Sequence, residues 1–181
     1  MIRSILVCGL AAGVALAAFG DDKHEHKLPP RKAINNVGFD KIKTLVGTWV
    51  VADSGGNPTD EVMSVIKLTA GGSAVHETAF PGKEMEMISV YTPDGDGVLM
   101  THYCVLGNQP RMKATPKAGD KQLNFEFVGG GNLDPKKDKH MRSAVLTFTD
   151  ADHIELAGCA WENGEPCKES CGVMKLVRKK N

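Results

Sequence analysis

Residues 122–127 read QLNFEF, in which Leu123, Phe125 and Phe127 alternate with polar side chains. A second stretch, residues 146–149, reads LTFT and alternates in the same way. Because successive side chains of a β-strand point to opposite faces, this period of two places the apolar residues on one face. Both stretches therefore predict antiparallel strands with one face buried and the other in contact with solvent.

Strands of this kind recur along most of the chain. From residue 48 onward, short runs rich in β-branched and aromatic residues are separated by turn-forming Gly, Pro, Asn and Asp. The sequence predicts about ten strands, at 48–53, 61–69, 73–80, 84–92, 97–106, 111–115, 121–128, 143–149, 153–161 and 171–178. Residues 129–142 interrupt them; they begin GGG and are predicted as a long loop with a helical turn over 136–141.

The order of the strands indicates how they assemble. Strands joined by short turns predict an up-and-down meander, and ten strands must close or be covered to protect their edges. Phe39, Ile42 and Val46 have helical spacing and predict one short helix before the first strand, which leaves no second helix to cover a sheet. We therefore predict an all-β fold, an up-and-down antiparallel barrel with a short N-terminal helix. A two-sheet β-sandwich is the alternative.

The start of the chain has the features of a secretory signal peptide. Arg3 is followed by the uncharged run 5–18, and small residues near Gly20 offer a cleavage site. We expect residues 1–20 to be removed, residues 21–36 to form a flexible leader and residues 37–181 to form the β domain. The protein is then exported, periplasmic or extracellular, and its mature chain has no transmembrane segment.

The charge balance narrows the class of partner. The chain holds 22 Lys+Arg and 22 Asp+Glu. This near-neutral balance gives no electrostatic basis for binding nucleic acid or an anionic membrane. A small molecule is the expected partner.

The predicted helix runs into Gly47-Thr48-Trp49 at the start of the first strand. A short helix followed by Gly-x-Trp resembles the opening of lipocalins and related calycin barrels, and residues 45–49, LVGTW, are similar to secreted bacterial lipocalin-like domains of unknown function. The resemblance implies that Trp49 closes one barrel end beneath a basic residue from near the last strand, here Arg178. It implies structural roles for Gly47, Trp49 and Arg178, and it adds a fold but no activity.

The most polar segment, residues 101–111, reads THYCVLGNQPR and includes the end of a predicted strand. Strand ends at a barrel mouth are places where ligand sites gather, and the planar guanidinium of Arg111 suits a polar or anionic ligand group. An ordinary turn at 107–110 is the alternative. The candidate ligand-binding residues here are His102, Tyr103, Cys104, Asn108, Gln109 and Arg111.

Glu77 adds a carboxylate to this candidate site. His76 and Glu77 point to opposite faces of one strand, and we expect Glu77 to face the interior, where it needs a partner such as Arg111 or His102. A Glu–His pair supplies general acid–base chemistry. A small extracytoplasmic enzyme using His102, Glu77 and Arg111 in the cavity is therefore an alternative to a binding protein, although no catalytic residue is assigned.

The histidines raise haem binding as a further alternative. His76, His102, His140 and His153 have no local metal-ligand spacing, so no metal site is predicted. His140 is kept as a candidate ligand-binding residue.

Four cysteines remain once Cys8 leaves with the signal peptide. An even number in an exported chain predicts disulfides, with three possible connectivities. If strands 153–161 and 171–178 form a hairpin, Cys159 and Cys171 lie opposite each other and are the favoured pair. Cys167 is close enough in sequence to compete for Cys171.

Three classes of function fit the predicted fold and the predicted export. The favoured one is a calycin-type module that binds a small, partly apolar ligand. The others are the enzyme described above and a packed structural protein of the cell envelope. An internal cavity separates the last class from the first two.

Overall fold

The computed structural model describes residues 35–180. The predicted signal peptide and all but the last two residues of the predicted leader lie outside this range. One helix, α1, spans Val37–Lys43. The strands are β1 Gly47–Ala52, β2 Pro58–Thr69, β3 Ala74–Ala79, β4 Met87–Asp94, β5 Gly97–Tyr103, β6 Gln109–Ala114, β7 Gln122–Gly131, β8 His140–Phe148, β9 His153–Glu162, β10 Glu165–Pro166 and β11 Gly172–Arg178.

The strands form a closed antiparallel barrel. Each strand from β1 to β9 pairs with the next, β9 pairs with β11, and β11 returns to β1. The ring contains ten strands, and β10 pairs only with the end of β9. The predicted up-and-down barrel is therefore confirmed, and the β-sandwich alternative is wrong. Within residues 35–180, no helix has the length and apolarity needed to cross a bilayer.

Alternation along the strands builds the interior. In β7, Leu123 and Phe125 are buried while Asn124 and Glu126 are exposed. In β5, Val98, Met100 and His102 are buried in the same alternating way. Burial of these apolar side chains on one face of each strand supplies most of the driving force for folding.

Helix α1 lies against one end of the barrel. The Asn36 side chain caps it by accepting a hydrogen bond from the Phe39 amide at 2.7 Å, and its own amide group donates to Gly97 O at 2.8 Å. Phe39 and Ile42 are fully buried. The cap therefore ties the helix to the start of β5 while the apolar face of the helix packs on the core.

Trp49 and Arg178 lie together at this end. Trp49 has no exposed surface, its indole N–H donates to Leu45 O at 2.8 Å, and the Arg178 guanidinium lies 4.4 Å from its ring centroid. Arg178 also donates to Val46 O and Thr44 O, each at 2.8 Å. The last strand is thereby connected to both the tryptophan and the segment that follows the helix.

The loop predicted over residues 129–142 is much shorter in the structure. Strand β7 continues to Gly131 and β8 begins at His140. The helical turn predicted over 136–141 is limited to one hydrogen-bonded turn at residues 134–138, where the Asp138 amide donates to Asp134 O at 2.8 Å. The three glycines pair with the start of β6, where Gly130 lies opposite Pro110. A Cβ on Gly130 would lie 2.9 Å from Gln109 O and 3.1 Å from Pro110 Cα. The glycines therefore permit close strand contact and are not a sign of a flexible loop.

Gly130→Ala is expected to lower the free energy of unfolding by about 1–2 kcal/mol, because the added methyl group meets backbone atoms that have little room to move. Gly172→Ala is the matched control, since a Cβ at that strand position meets nothing within 4 Å. Urea unfolding of both variants measures the difference. Equal stabilities would contradict the packing explanation.

Candidate functional site

A cavity of about 140 Å³ lies inside the barrel. Its wall is mostly apolar, and its polar side chains come from four neighbouring strands, β2 to β5. The lining residues used below are Ser64, Glu77, Ser89, Tyr91, His102 and Phe125.

The polar residues form a row across the sheet. Glu77 of β3 pairs with Ser89 of β4, which in turn pairs with His102 of β5. Partners in antiparallel strands share a face, so all three side chains point inward and all three are buried. With strands about 4.8 Å apart, the backbones at Glu77 and His102 are separated by roughly 10 Å.

Glu77 accepts a hydrogen bond on each carboxylate oxygen. The Ser64 hydroxyl donates to Oε1 at 2.6 Å, and the Tyr91 hydroxyl donates to Oε2 at 2.7 Å. Burial, reinforced by the nearby Glu77 carboxylate, raises the pKa of Tyr91 well above its usual value, so Tyr91 remains a hydroxyl donor. The partners of Glu77 are therefore two hydroxyl groups, whereas the sequence pointed to Arg111 or His102.

His102 shares a hydrogen bond of 3.0 Å between its Nδ1 and the Ser89 hydroxyl. Burial lowers the pKa of His102 from 6.5 to about 4. The imidazole is consequently neutral at pH 7 and acts as a hydrogen-bonding group without charge.

The cavity leads to a wider mouth of about 410 Å³. The two spaces adjoin, since they share the lining residues Met87, His102, Met141, Ala144, Leu156 and Met174. Three cysteines line the mouth but not the cavity: Cys104, Cys159 and Cys171. The half-buried Cys104 is thus placed beside the entrance and not within the cavity.

Methionine makes up much of the apolar wall. Five of the eight methionines of the chain line the cavity: Met63, Met87, Met100, Met141 and Met174. Unbranched, polarisable thioether side chains adjust to ligands of differing shape. The wall is therefore adaptable, with fixed polar groups on one side.

Three candidate residues from the polar segment lie outside the cavity. Tyr103 is 49% exposed, Arg111 is exposed, and the Gln109 side chain donates to Gly107 O at 3.0 Å. None of them lines the cavity. The structure therefore corrects the predicted arrangement of His102, Glu77 and Arg111 in one cavity.

Asn108 and His140 belong to a different part of the barrel. Asn108 donates to Lys139 O at 2.8 Å and borders a polar surface depression, while His140 is fully buried against the Phe127 ring, with centroids 5.1 Å apart. His140 Nδ1 lies 2.7 Å from Asp138 O. These contacts position the segment that connects β7 to β8, away from the central cavity.

The histidines are not brought together. Of His76, His102, His140 and His153, only His102 lines the cavity, and no group of three or more metal-binding side chains occurs within residues 35–180. The enclosed space of about 140 Å³ is too small to hold a whole porphyrin. The residues present do not fit a buried haem, and we derive no chemistry from one.

Cys159 and Cys171 lie at disulfide distance, with Cα atoms 4.1 Å apart. Cys167, which could have competed for Cys171, is a buried free thiol. The pairing favoured from the predicted hairpin is thus the one at disulfide distance. It connects β9 to the residue that precedes β11, at the mouth.

Sequence reasoning missed the hydroxyl groups of the site. Ser64, Ser89 and Tyr91 each lie on a predicted strand, and Ser89 and Tyr91 share a face by simple alternation. The alternation of side chains along each strand indicates which of these groups share a face. Only the pairing between strands places them beside Glu77 and His102.

The fold and the site together define a class: a closed ten-strand antiparallel barrel with an internal, largely apolar cavity, compatible with calycin-like barrels. No protein-family model matches the chain, and no curated protein sequence matches it significantly.

Proposed function

We propose that the protein is an exported binding protein for a small, mostly apolar molecule that occupies the barrel cavity. The observation that carries this proposal is the cavity itself, an apolar space inside a closed barrel with Glu77 and His102 on one wall. Pockets that combine an apolar lining with a few fixed polar groups are typical ligand sites. A cavity of this size favours binding over a packed structural role.

Two features support export. The first 20 residues have the pattern of a secretory signal peptide. Cys159 and Cys171 lie at disulfide distance, and disulfides persist in oxidising compartments. The proposed site of action is therefore the periplasm or the extracellular space.

The neutral naphthalene fluorophore prodan provides a direct test, because its emission shifts when it enters an apolar site. Its two fused rings are larger than the cavity alone and would extend into the adjoining mouth. We expect saturable binding to the purified mature protein. Ala144→Phe is expected to weaken binding at least tenfold, since Ala144 is buried on β8 and lines both the cavity and the mouth.

Val145→Phe is the matched control, because it places the same ring on the other face of the same strand, outside the cavity. We expect this variant to bind prodan as the unmodified protein does. Loss of binding in both variants would overturn the proposal, and so would an unmodified protein that binds neither prodan nor a single-ring apolar compound such as 2-phenylethanol.

A further inference from the structure

The charge inside the cavity is unbalanced. Three ionisable side chains line it: Glu77, Tyr91 and His102. No lysine or arginine of residues 35–180 is among the lining residues. Glu77 accepts one hydrogen bond on each of its oxygens, and both donors are neutral hydroxyl groups.

The other two ionisable groups do not neutralise this carboxylate. The raised pKa of Tyr91 and the lowered pKa of His102 leave both side chains uncharged near pH 7. A buried carboxylate without a cationic partner is unfavourable, and a ligand that carries the missing positive charge relieves that cost. The cavity is therefore complementary to a cation.

The rest of the wall suits an ammonium group attached to an apolar body. The hydroxyl oxygens of Ser64 and Tyr91, which donate to Glu77, keep lone pairs that accept hydrogen bonds from the same ammonium. Aromatic rings of Trp49, Phe80, Tyr91 and Phe125 also line the cavity, and aromatic faces attract cations.

The volume limits the size of the apolar body. The cavity measures about 140 Å³. Engineered apolar cavities of about 150 Å³ bind one benzene molecule. A single aromatic ring fits, with a short alkyl chain reaching toward Glu77. Resting on the proposed binding function, we infer that the ligand is a small arylalkylamine bound in its protonated form, with Glu77 as its counter-ion.

Calorimetric titration with three single-ring compounds tests this inference. At pH 7, 2-phenylethylamine is a cation, 2-phenylethanol is its neutral analogue and phenylacetate is an anion. We expect the amine to bind at least tenfold more tightly than the alcohol, and phenylacetate to give no detectable binding. Equal affinities for amine and alcohol would overturn the inference and leave the binding function in place.

Glu77→Gln tests the assigned counter-ion while preserving side-chain shape. We expect amine affinity to fall at least tenfold and alcohol affinity to change less than threefold. Glu126→Gln, the same substitution on the exposed face of β7, is the control and should keep the preference for the amine. A Glu77→Gln variant that still prefers the amine would contradict the assignment. The amine-to-alcohol ratio of the unmodified protein needs no variant, so the inference stays testable if Glu77→Gln does not fold.

Prodan separates failure of the inference from failure of the proposed function. If prodan binds and neither 2-phenylethylamine nor 2-phenylethanol does, the ligand class is wrong and the cavity still binds small molecules. If prodan and all three phenyl compounds fail to bind, the proposed function is overturned and the inference falls with it.

Discussion

Trp49→Ala is expected to lower the free energy of unfolding by about 3–5 kcal/mol, the range measured for removing a large aromatic side chain from a well-packed core. Trp49 is completely buried, and its ring lies between the core and the Arg178 guanidinium. Removal of the ring also leaves Leu45 O without the indole donor. Chemical denaturation followed by circular dichroism measures the change.

Trp161→Ala is the matched control, because it is the same substitution at the other tryptophan of the chain. Trp161 is half-buried, and its ring lies 4.6 Å from the Arg142 guanidinium. We expect a loss of about 1 kcal/mol there, since partly exposed side chains contribute less. Similar losses at the two positions would show that Trp49 does not have the structural role described above.

The periodicity of the sequence was sufficient to predict the barrel. Alternation in residues 122–127 placed Leu123 and Phe125 inward, and the same rule placed Glu77 inward and His76 on the other face. Turn residues located most strand ends within a few positions. Local rules work here because a strand with one buried face is defined by its own sequence.

Pairing between strands was not predictable in the same way. Arg111 lies opposite Thr101, which is on the outer face of β5, so the Arg111 side chain points outward. Met112, the next residue, is buried opposite Met100 by the same alternation, and a register shift between Arg111 and Met112 affects only the pairing of β6 with β7. Which residues lie opposite each other depends on contacts between strands, for which a single strand has no local signal. For this reason the sequence identified Glu77 and His102 but gave Glu77 the wrong partners.

The ends of strands β7 and β8 were also not predictable from local sequence. The sequence predicts a loop at residues 129–131 because glycine is common in turns, yet in the structure glycine permits close approach of β6. Extending β7 and β8 also buries His140 against Phe127, away from the cavity. A side chain's membership of the site thus depends on where its strand begins as well as on its chemistry.

Stability is expected to fall by up to about 3 kcal/mol between pH 6.5 and pH 4 because of His102 alone. Its pKa falls from 6.5 to about 4 on burial, so between these values the unfolded chain binds a proton that the folded protein does not. Folding stability therefore decreases as the pH falls through this window, by about 1.4 kcal/mol for each unit of pKa difference. Urea unfolding at intervals from pH 7 to pH 4 gives the slope.

His102→Gln removes the titrating group and should flatten this part of the pH dependence, while other titrating groups contribute equally to both proteins. Ser89→Ala is the control: it deletes the hydrogen-bond partner but leaves the buried imidazole, and burial is the cause of the lowered pKa. It should therefore keep the slope of the unmodified protein.

The same slope in His102→Gln would show that His102 is not the group responsible. A flattened slope in Ser89→Ala would assign the effect to the hydrogen bond. A neutral His102 at pH 7 also leaves the cavity without a cationic side chain, so the pH dependence of stability and the proposed preference for a cationic ligand both depend on the burial of His102.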